Sequence, residues 1–334
     1  PDQQHPEEDL IMSPIRHGVL RYYEAFAGIG GATVAAKGLP MTCVGGAEYE
    51  PNARAVYWAN HGKHLDGNLW DIDPGDVEPM DMFFMSPPCT PYSRAGNRRG
   101  LNDPAGKVIF AVLPLIERHK PSAIIVENTI GFNSHADGRT IRKISKAFER
   151  LGYHPLHECW RALNSAKFGL PTRRVRFFGV MLRKDFDPSK LIWPNPSNPM
   201  VPLRTVLLPP SQVRDLVFNR TDFTPHVPKV RRGGYHLQRL GHFDRQFHDR
   251  YLYGTDAPAA TFCRHSSGLG GSSGLYLVGD VIRKLHPREM LRAHNFSDDF
   301  VIPMPYAIAT GLNGNSLCPP VLHAVYRMIL LVIS

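Results

Sequence analysis

Two kinds of apolar pattern alternate along the first half of the chain. Short continuous runs read as strands buried on both faces: Val19 to Phe26, Thr42 to Ala47, a run ending at Met85, and Ser122 to Val126. Between and after them, Val108 to His119 and residues 139–151 carry apolar positions at helical spacing. Strand alternating with helix predicts an α/β fold with a mostly parallel sheet and helices on both faces. From about residue 185 the periodicity fades and prolines cluster, Pro194, Pro196, Pro199 and Pro202 among them. Order returns after residue 282. Leu285 to His294 reads as a helix opened by Pro287, Gly311 to Pro320 as a tight loop, and Val321 to Ile333 as an apolar closing helix. A final helix that apolar must pack back on the first domain. Residues 19–184 and 283–334 therefore form one domain, 185–282 an inserted second one, and 1–18 a disordered leader.

The chemistry-bearing residues fall just past strand ends, where open α/β sheets place their sites. The first strand feeds Phe26-Ala27-Gly28-Ile29-Gly30-Gly31, a turn that lets a ligand approach the backbone. The second ends in Glu48, where an acid accepts hydrogen bonds from a ribose diol. Together they predict a nucleoside-containing cofactor. Thr33 stands where a dinucleotide fingerprint needs its third glycine, which argues against a pyrophosphate and for a ligand such as S-adenosylmethionine. Asp66 to Trp70 ends a third short strand, and its Asn68 either accepts from an adenine amino group or closes a turn.

The run to Met85 stops at Pro87 and Pro88, and Cys89 follows at once. Arg94, Arg98, Arg99 and Lys107, spaced by glycines, make the next segment a mobile basic loop beside a thiol. Nearby cations favour the thiolate, the nucleophilic form. One strand later Glu127 sits at a strand end in the same crevice. It either caps the next turn or, protonated in part, hydrogen-bonds a ring nitrogen and an exocyclic amine. Arg174 and Arg176 flank Val175 and share one face, which is costly unless they meet an acid, a phosphate or a base edge.

Composition narrows the class. The 334 residues are 43% hydrophobic, enough for a globular core. Five cysteines without a CxxC pair suit a reducing, intracellular compartment, whether bacterial or phage-host cytoplasm or a nucleus. The first twenty residues are polar and acidic, unlike a signal peptide, and the apolar run Met328 to Ile333 is too short to cross a bilayer, so no membrane is expected. A net charge of +9 suits a polyanionic partner. Residues 204–264 hold ten Lys and Arg against five Asp and no Glu, which marks the second domain as a folded basic module. Neither Cys263 with His265 nor His242 with His248 extends to a four-ligand set, so no metal is expected.

The ordered blocks FAGIGG, Glu48, SPPCTPYS, VENTIGF, the Arg174/Arg176 pair and NGNSLCPP resemble those of the DNA cytosine-5 methyltransferases, over roughly residues 20–184 and 283–331. The resemblance implies the Rossmann-like S-adenosylmethionine-dependent methyltransferase fold, with residues 185–282 as target-recognition domain and a monomer acting on double-stranded DNA. It implies that S-adenosylmethionine lies against Phe26, Ala27, Gly28, Ile29 and Gly30, with Glu48 and Tyr49 at the ribose end, Asn68 and Leu69 near the adenine, and Pro87, Asn315 and Ser316 closing over it. It implies that Cys89 attacks carbon 6 of a flipped cytosine, Glu127 holds the ring nitrogen and amine, and Arg176, supported by Arg174, holds the carbonyl oxygen. Thr90, Ser93, Arg94, Arg98 and Arg99 of the catalytic loop, and Arg231, Arg232, Thr261 and Arg264 of the second domain, would meet nucleic acid. Thr90 and Thr172 stand where many relatives carry Gln, Asn68 where Asp is common, and Thr129 adds a hydroxyl beside the base pocket.

Two other readings share these residues. A tRNA cytosine-5 methyltransferase would carry the same Pro-Pro-Cys. Its usual Cys-Phe-Thr signature is replaced here by Thr261-Phe262-Cys263. A catalytically silent nucleic-acid-binding homologue would have lost Cys89 or Glu127, and both are present.

Overall fold

The computed structural model describes residues 18–93, 96–218, 222–226, 235–243, 251–264 and 271–333. In chain order, β1 (Leu20–Ala25), α1 (Gly31–Ala36), β2 (Met41–Ala47), α2 (Pro51–His61) and β3 (Met82–Met85) are followed by a short α3 (Pro104–Lys107) and α4 (Leu113–His119). Next come β4 (Ala123–Asn128), the single-turn α5 (Gly131–Ser134), α6 (Arg139–Glu149), β5 (Trp160–Asn164) and β6 (Val175–Leu182). These six strands form one sheet in the order β2-β1-β3-β4-β6-β5. The pairs β1/β2, β1/β3 and β3/β4 are parallel, and β6 runs antiparallel to both β4 and β5. The chain reverses its direction across the sheet between β1 and β3. The crevice outside their carboxyl ends is therefore the topological switch point, where such sheets hold ligands.

Buried-strand periodicity sets the two layers. Tyr22, Phe84 and Ile125 face a core built with α1 and α9 (Pro319–Ile333), whereas Tyr23, Phe83 and Ile124 face one built with α4 and α6. In α9, Leu322, Val325 and Ile329 have no exposed surface. Each contributes about 1.5–3 kcal/mol by burial. The span Tyr306–Ile333 is apolar and long enough to cross a membrane. It is nevertheless two helices broken at Ser316, and most of it is inside the protein.

A second sheet holds β7 (Phe223–Pro225), β8 (Arg239–Phe243), β9 (Tyr251–Tyr253), β10 (Leu275–Val278) and β11 (Val281–Arg283), in the order β11-β10-β9-β8-β7. Only β9 and β10 run parallel among its pairs. Then come α7 (Pro287–Ala293) and α8 (Tyr306–Asn315). The leader, apart from Gly18, and residues 268–270 of the glycine-rich stretch lie outside the described residues.

Three local expectations are corrected. Asp66 to Trp70 forms a single bridge, Ala47 to Asp66, and then a 3-10 turn at Leu69–Asp71, because Gly67 and Asn68 supply turn chemistry. Val108 to His119 is 3-10 up to Val112 and α-helical after it. Pro114 has no N–H to offer the Phe110 carbonyl, so Leu113 takes that carbonyl in the tighter spacing. Gly311 to Asn315 is the end of α8, not a loop. Its glycines serve close packing: a Cβ on Gly314 would lie 2.3 Å from the Cys263 backbone.

The second sheet is tied to α7 by a buried ion pair. Arg283 donates to Glu289 at 2.7 and 2.8 Å, and Glu289 also accepts from the backbone N–H groups of Leu208 and His286. Neither side chain is more than 4% exposed. Arg283→Met would leave the carboxylate buried and uncompensated, with an expected loss of about 3–5 kcal/mol. Denaturant unfolding measures it, and a loss below about 1 kcal/mol would show that the join does not depend on the pair.

Candidate active site

The turn after β1 is shaped by left-handed backbone. Phe26, Gly28 and Gly30 have φ of 57°, 57° and 88°. Gly30 cannot be replaced without movement, since a Cβ there would lie 2.1 Å from His61 Nε2. The turn is tied to the end of β2: Gly28 N donates to Glu48 Oε2 and Glu50 N to Glu48 Oε1, both at 2.8 Å. Burial raises the Glu48 carboxyl above its ordinary value, and these two donors oppose it. Tyr49 beside it is 77% exposed, and Leu69 is buried below the rim. Asn68 accepts from Trp70 N and donates to Asp71, so its side chain closes a turn. Ala27 is buried, donating its N–H to the Ala47 carbonyl. Ser316 is buried against Gly31 while Asn315 is exposed.

Beneath this turn lies a polar cluster that the sequence did not announce. Glu24 has no exposed surface. Thr33 donates to its Oε1 at 2.5 Å, Tyr57 donates to the same oxygen, and the Cys43 thiol lies 3.8 Å away. Burial pushes the Glu24 carboxyl up to about 7. Thr33, the residue in place of the third glycine, thus holds a buried acid rather than admitting a phosphate. Burial also drives His61 down to about 4.

The second half of the crevice is built on β3 and β4. Their register sets Met85 opposite Val126, so Ser86 meets Glu127. Ser86 Oγ donates to Glu127 Oε2 at 2.7 Å. Glu127 Oε1 is buried without a hydrogen bond and lies 3.4 Å from Arg176 Nε. Asn128 Nδ2 donates to the Pro87 carbonyl at 2.9 Å and so pins the proline turn to the strand end that carries Glu127. Cys89 follows, half-buried, its carbonyl accepting from the N–H groups of Tyr92 and Ser93. It lies within electrostatic reach of Arg174.

Arg174 and Arg176 line one pocket with Glu127, Ser165 and Cys318. Arg174 is 4% exposed and donates to the carbonyls of Phe262 and Gly314, each at 3.1 Å. Burial, helped by the charge of Arg176, pulls it down to about 10. His294, fully buried against Phe262, is pushed far below its ordinary value by burial and by both arginines, and sits neutral. Segment 259–262 reaches this pocket by pairing with 171–173: Arg173 N donates to the Ala259 carbonyl and Thr261 Oγ1 to the Arg173 carbonyl, both at 2.8 Å.

The remaining candidates divide. Thr90, Arg98 and Arg99 are exposed at the rim. Arg264 pairs with Glu50 at 2.5 Å, which brings the residue expected at nucleic acid to the acid next to the Glu48 turn. Arg94, Arg231 and Arg232 lie outside the described residues, as do His248 and His265. His242 hydrogen-bonds His226 at 2.8 Å. Sequence reasoning missed Ser86, Asn128, Ser165, Tyr92 and His135. Tyr92 donates to the Gly106 carbonyl and stands edge-on to Phe132, and His135 bonds the Arg98 carbonyl, so both anchor the loop after Cys89. Ser86 and Asn128 adjoin the predicted residues, whereas nothing local marks His135.

A family model described as C-5 cytosine-specific DNA methylase matches residues 20–330. The chain is 28% identical over 306 residues to the Type II methyltransferase M.HhaI of Haemophilus parahaemolyticus, covering 92% of this chain and 93% of that protein. It is 30% identical over 305 residues to the Type II methyltransferase M.NgoBI of Neisseria gonorrhoeae, covering 91% of each. Among solved structures, the Entamoeba histolytica methyltransferase EhMeth shares the fold with a TM-score of 0.68 at 18% identity, over 93% of this chain and 98% of that one. The S. pombe Dnmt2 methyltransferase does so with a TM-score of 0.66 at 19% identity, over the same shares.

The Glu24 cluster has a pH signature. Its folded value near 7 lies above the ordinary 4.5. Its contribution to stability is therefore complete below pH 4.5 and is lost as pH rises to 7, by about 3 kcal/mol. His61, lowered to about 4, acts with the opposite sign, so the comparison must be with Glu24→Gln at each pH. Relative to that variant the wild type is expected to lose stability as pH rises from 4.5 to 7 in urea unfolding. A pH-independent difference would mean that Glu24 stays ionised in the fold.

Proposed function

Because the chain belongs to the C-5 cytosine-specific DNA methylase family, we propose that it transfers a methyl group from S-adenosylmethionine to carbon 5 of a cytosine flipped out of duplex DNA, through a covalent adduct on Cys89. The observation that carries this reading is the state of Glu127. One oxygen is held by Ser86, and the other is buried, bare and beside Arg176, in the crevice where Cys89 follows the proline turn.

Carbon 5 of cytosine is a poor nucleophile, and the ring must be activated by addition next to it. The Cys89 thiolate adds to carbon 6, forming a carbon–sulfur bond and pushing the ring electrons toward carbon 5. Glu127 accepts from the exocyclic amine and delivers a proton to the ring nitrogen as the adduct forms, while Arg176 takes the carbonyl oxygen and stabilises the charge that builds there. Arg174, held by two carbonyls, positions Arg176 and the pocket wall. After methylation, the carbon-5 proton passes to water, the ring nitrogen returns its proton to Glu127 and the Cys89 sulfur leaves as thiolate, which restores the aromatic ring. The target atom is inaccessible within a duplex, so the base must leave the stack. The loop from Thr90 to Gly106, anchored through Tyr92 and His135, excludes water over it.

The residues at the glycine turn fit the cofactor. Glu48 presents a half-buried carboxylate to a ribose, Tyr49 an exposed ring at the rim, and Gly28 and Gly30 an open backbone. Thr33 is committed to Glu24, which suits a ligand without phosphates. When bound, S-adenosylmethionine supplies an electrophilic methyl group. Residues 185–282 serve as the target-recognition domain of a monomer that works on DNA inside the cell.

Labelled S-adenosylmethionine offered with duplex DNA and with bulk tRNA tests the reaction. 5-Methyldeoxycytidine from DNA is expected, and 5-methylcytidine from tRNA alone would reassign the substrate. Cys89→Ser is expected to abolish transfer while cofactor binding persists. Retained turnover would remove the covalent adduct. Glu127→Gln is expected to slow transfer by about 10²–10⁴-fold.

A further inference from the structure

Helix α6 carries a run of charge that the catalytic reading leaves unused. Arg139, Arg142, Lys143, Lys146 and Arg150 recur at positions i, i+3, i+4, i+7 and i+11, so they form one stripe. All five are exposed, while Thr140, Ile141, Ile144, Ser145 and Phe148 face the core. Among the described residues none of the five has a carboxylate partner. Arg139 and Arg142 donate instead to the backbone carbonyls of Ala136 and Asp137.

This placement works against the helix. Like charges three and four residues apart repel. Arg139, Arg142 and Lys143 also crowd the amino end, where the helix dipole disfavours cations, and the first turn holds no acid. A merely solvated face would mix acids into the stripe, and only Glu149 lies between its ends. The repulsion is relieved when a polyanion lies along it.

The stripe is continuous with the rim of the crevice. Its amino end joins the loop after Cys89 through His135, which bonds Thr140 of α6 at 2.7 Å and the Arg98 carbonyl at 2.9 Å. Arg98 and Arg99 are exposed there. From Arg139 to Arg150 the helix advances about 16 Å away from the rim. At about 3.4 Å per nucleotide along one strand, that is the length of several phosphates. We propose that the outer face of α6 is a docking surface for the sugar–phosphate backbone of duplex DNA outside the target site. The proposal rests on the DNA reading of the active site and extends its footprint.

The test is the triple variant Arg142→Gln, Lys143→Gln, Lys146→Gln, with binding measured against salt on two duplexes carrying the methylated site centrally, about 12 and about 40 base pairs long. Each phosphate contact contributes about 0.9 to the slope of log affinity against log salt, so the variant should lower the slope on the long duplex by about 2.7. The slope on the short duplex and methyl transfer to it should not change. An unchanged slope on the long duplex overturns the proposal. So does an equal fall on both duplexes. Methyl transfer by the wild type is read in parallel. If the wild type binds the long duplex steeply but transfers no methyl group, the proposed reaction fails and the docking surface stands.

Discussion

The site depends on a guanidinium taken out of water. Arg174 can be buried only where acceptors are supplied, because an unmet buried charge costs several kcal/mol. Its acceptors are backbone carbonyls of Phe262 and Gly314, which come from distant parts of the chain. Carbonyls cannot rotate away as side chains can. The cation therefore fixes three segments at once: the start of β6, the strand-like stretch leaving the second sheet, and the end of α8. Gly314 is glycine because that approach leaves no space for a Cβ. The pocket and the segment that comes from the second sheet thus share one cation, two residues before Arg176.

What the sequence made legible follows from this physics. Strands buried on both faces announce themselves as apolar runs, so β1 to β4 and the residues at their carboxyl ends were readable. Glu48 and Glu127 stand where those runs stop, and the sheet brings those ends together. Features set by distant partners were not readable. The stretch Gly311 to Asn315 looks like a loop because two glycines weaken a helix. The backbone of Cys263 against Gly314 and the Arg264 carbonyl against Gly311 explain them. Asn68 left two options open, and its bonds to Trp70 and Asp71 display the turn. His135 has no local signal, since its importance lies in a carbonyl 37 residues away. Arg264, expected at nucleic acid, pairs with Glu50, a residue 214 positions away that nothing local announces.

The arginines show why charge count alone is a poor guide. The formal balance of +9 mixes two populations. Arg176 and Arg283 lie beside the carboxylates of Glu127 and Glu289, and Arg174 is held by backbone carbonyls in the interior. The cations of α6 and of the catalytic loop are hydrated, and they set the long-range attraction that salt screens. A polyanion thus meets the protein through one set and is worked on by the other.

Three carboxylates at or near the crevice complete the argument, since their donors decide what each can do. Glu24 receives hydroxyl donors within a sealed cluster of Thr33, Tyr57 and Cys43, and burial favours its neutral form. No substrate reaches it, so it acts on the shape of the glycine turn above. Glu48 receives two backbone N–H groups, one from each side of the crevice floor, and keeps lone pairs for a diol. Glu127 receives one hydroxyl and faces a guanidinium that does not close on its second oxygen. An orphaned buried acceptor costs about 1–3 kcal/mol, and a ring that donates to it recovers that cost on binding. The pocket thereby sets an acceptor for an amine beside a guanidinium for a carbonyl oxygen, and cytosine carries both groups on one edge.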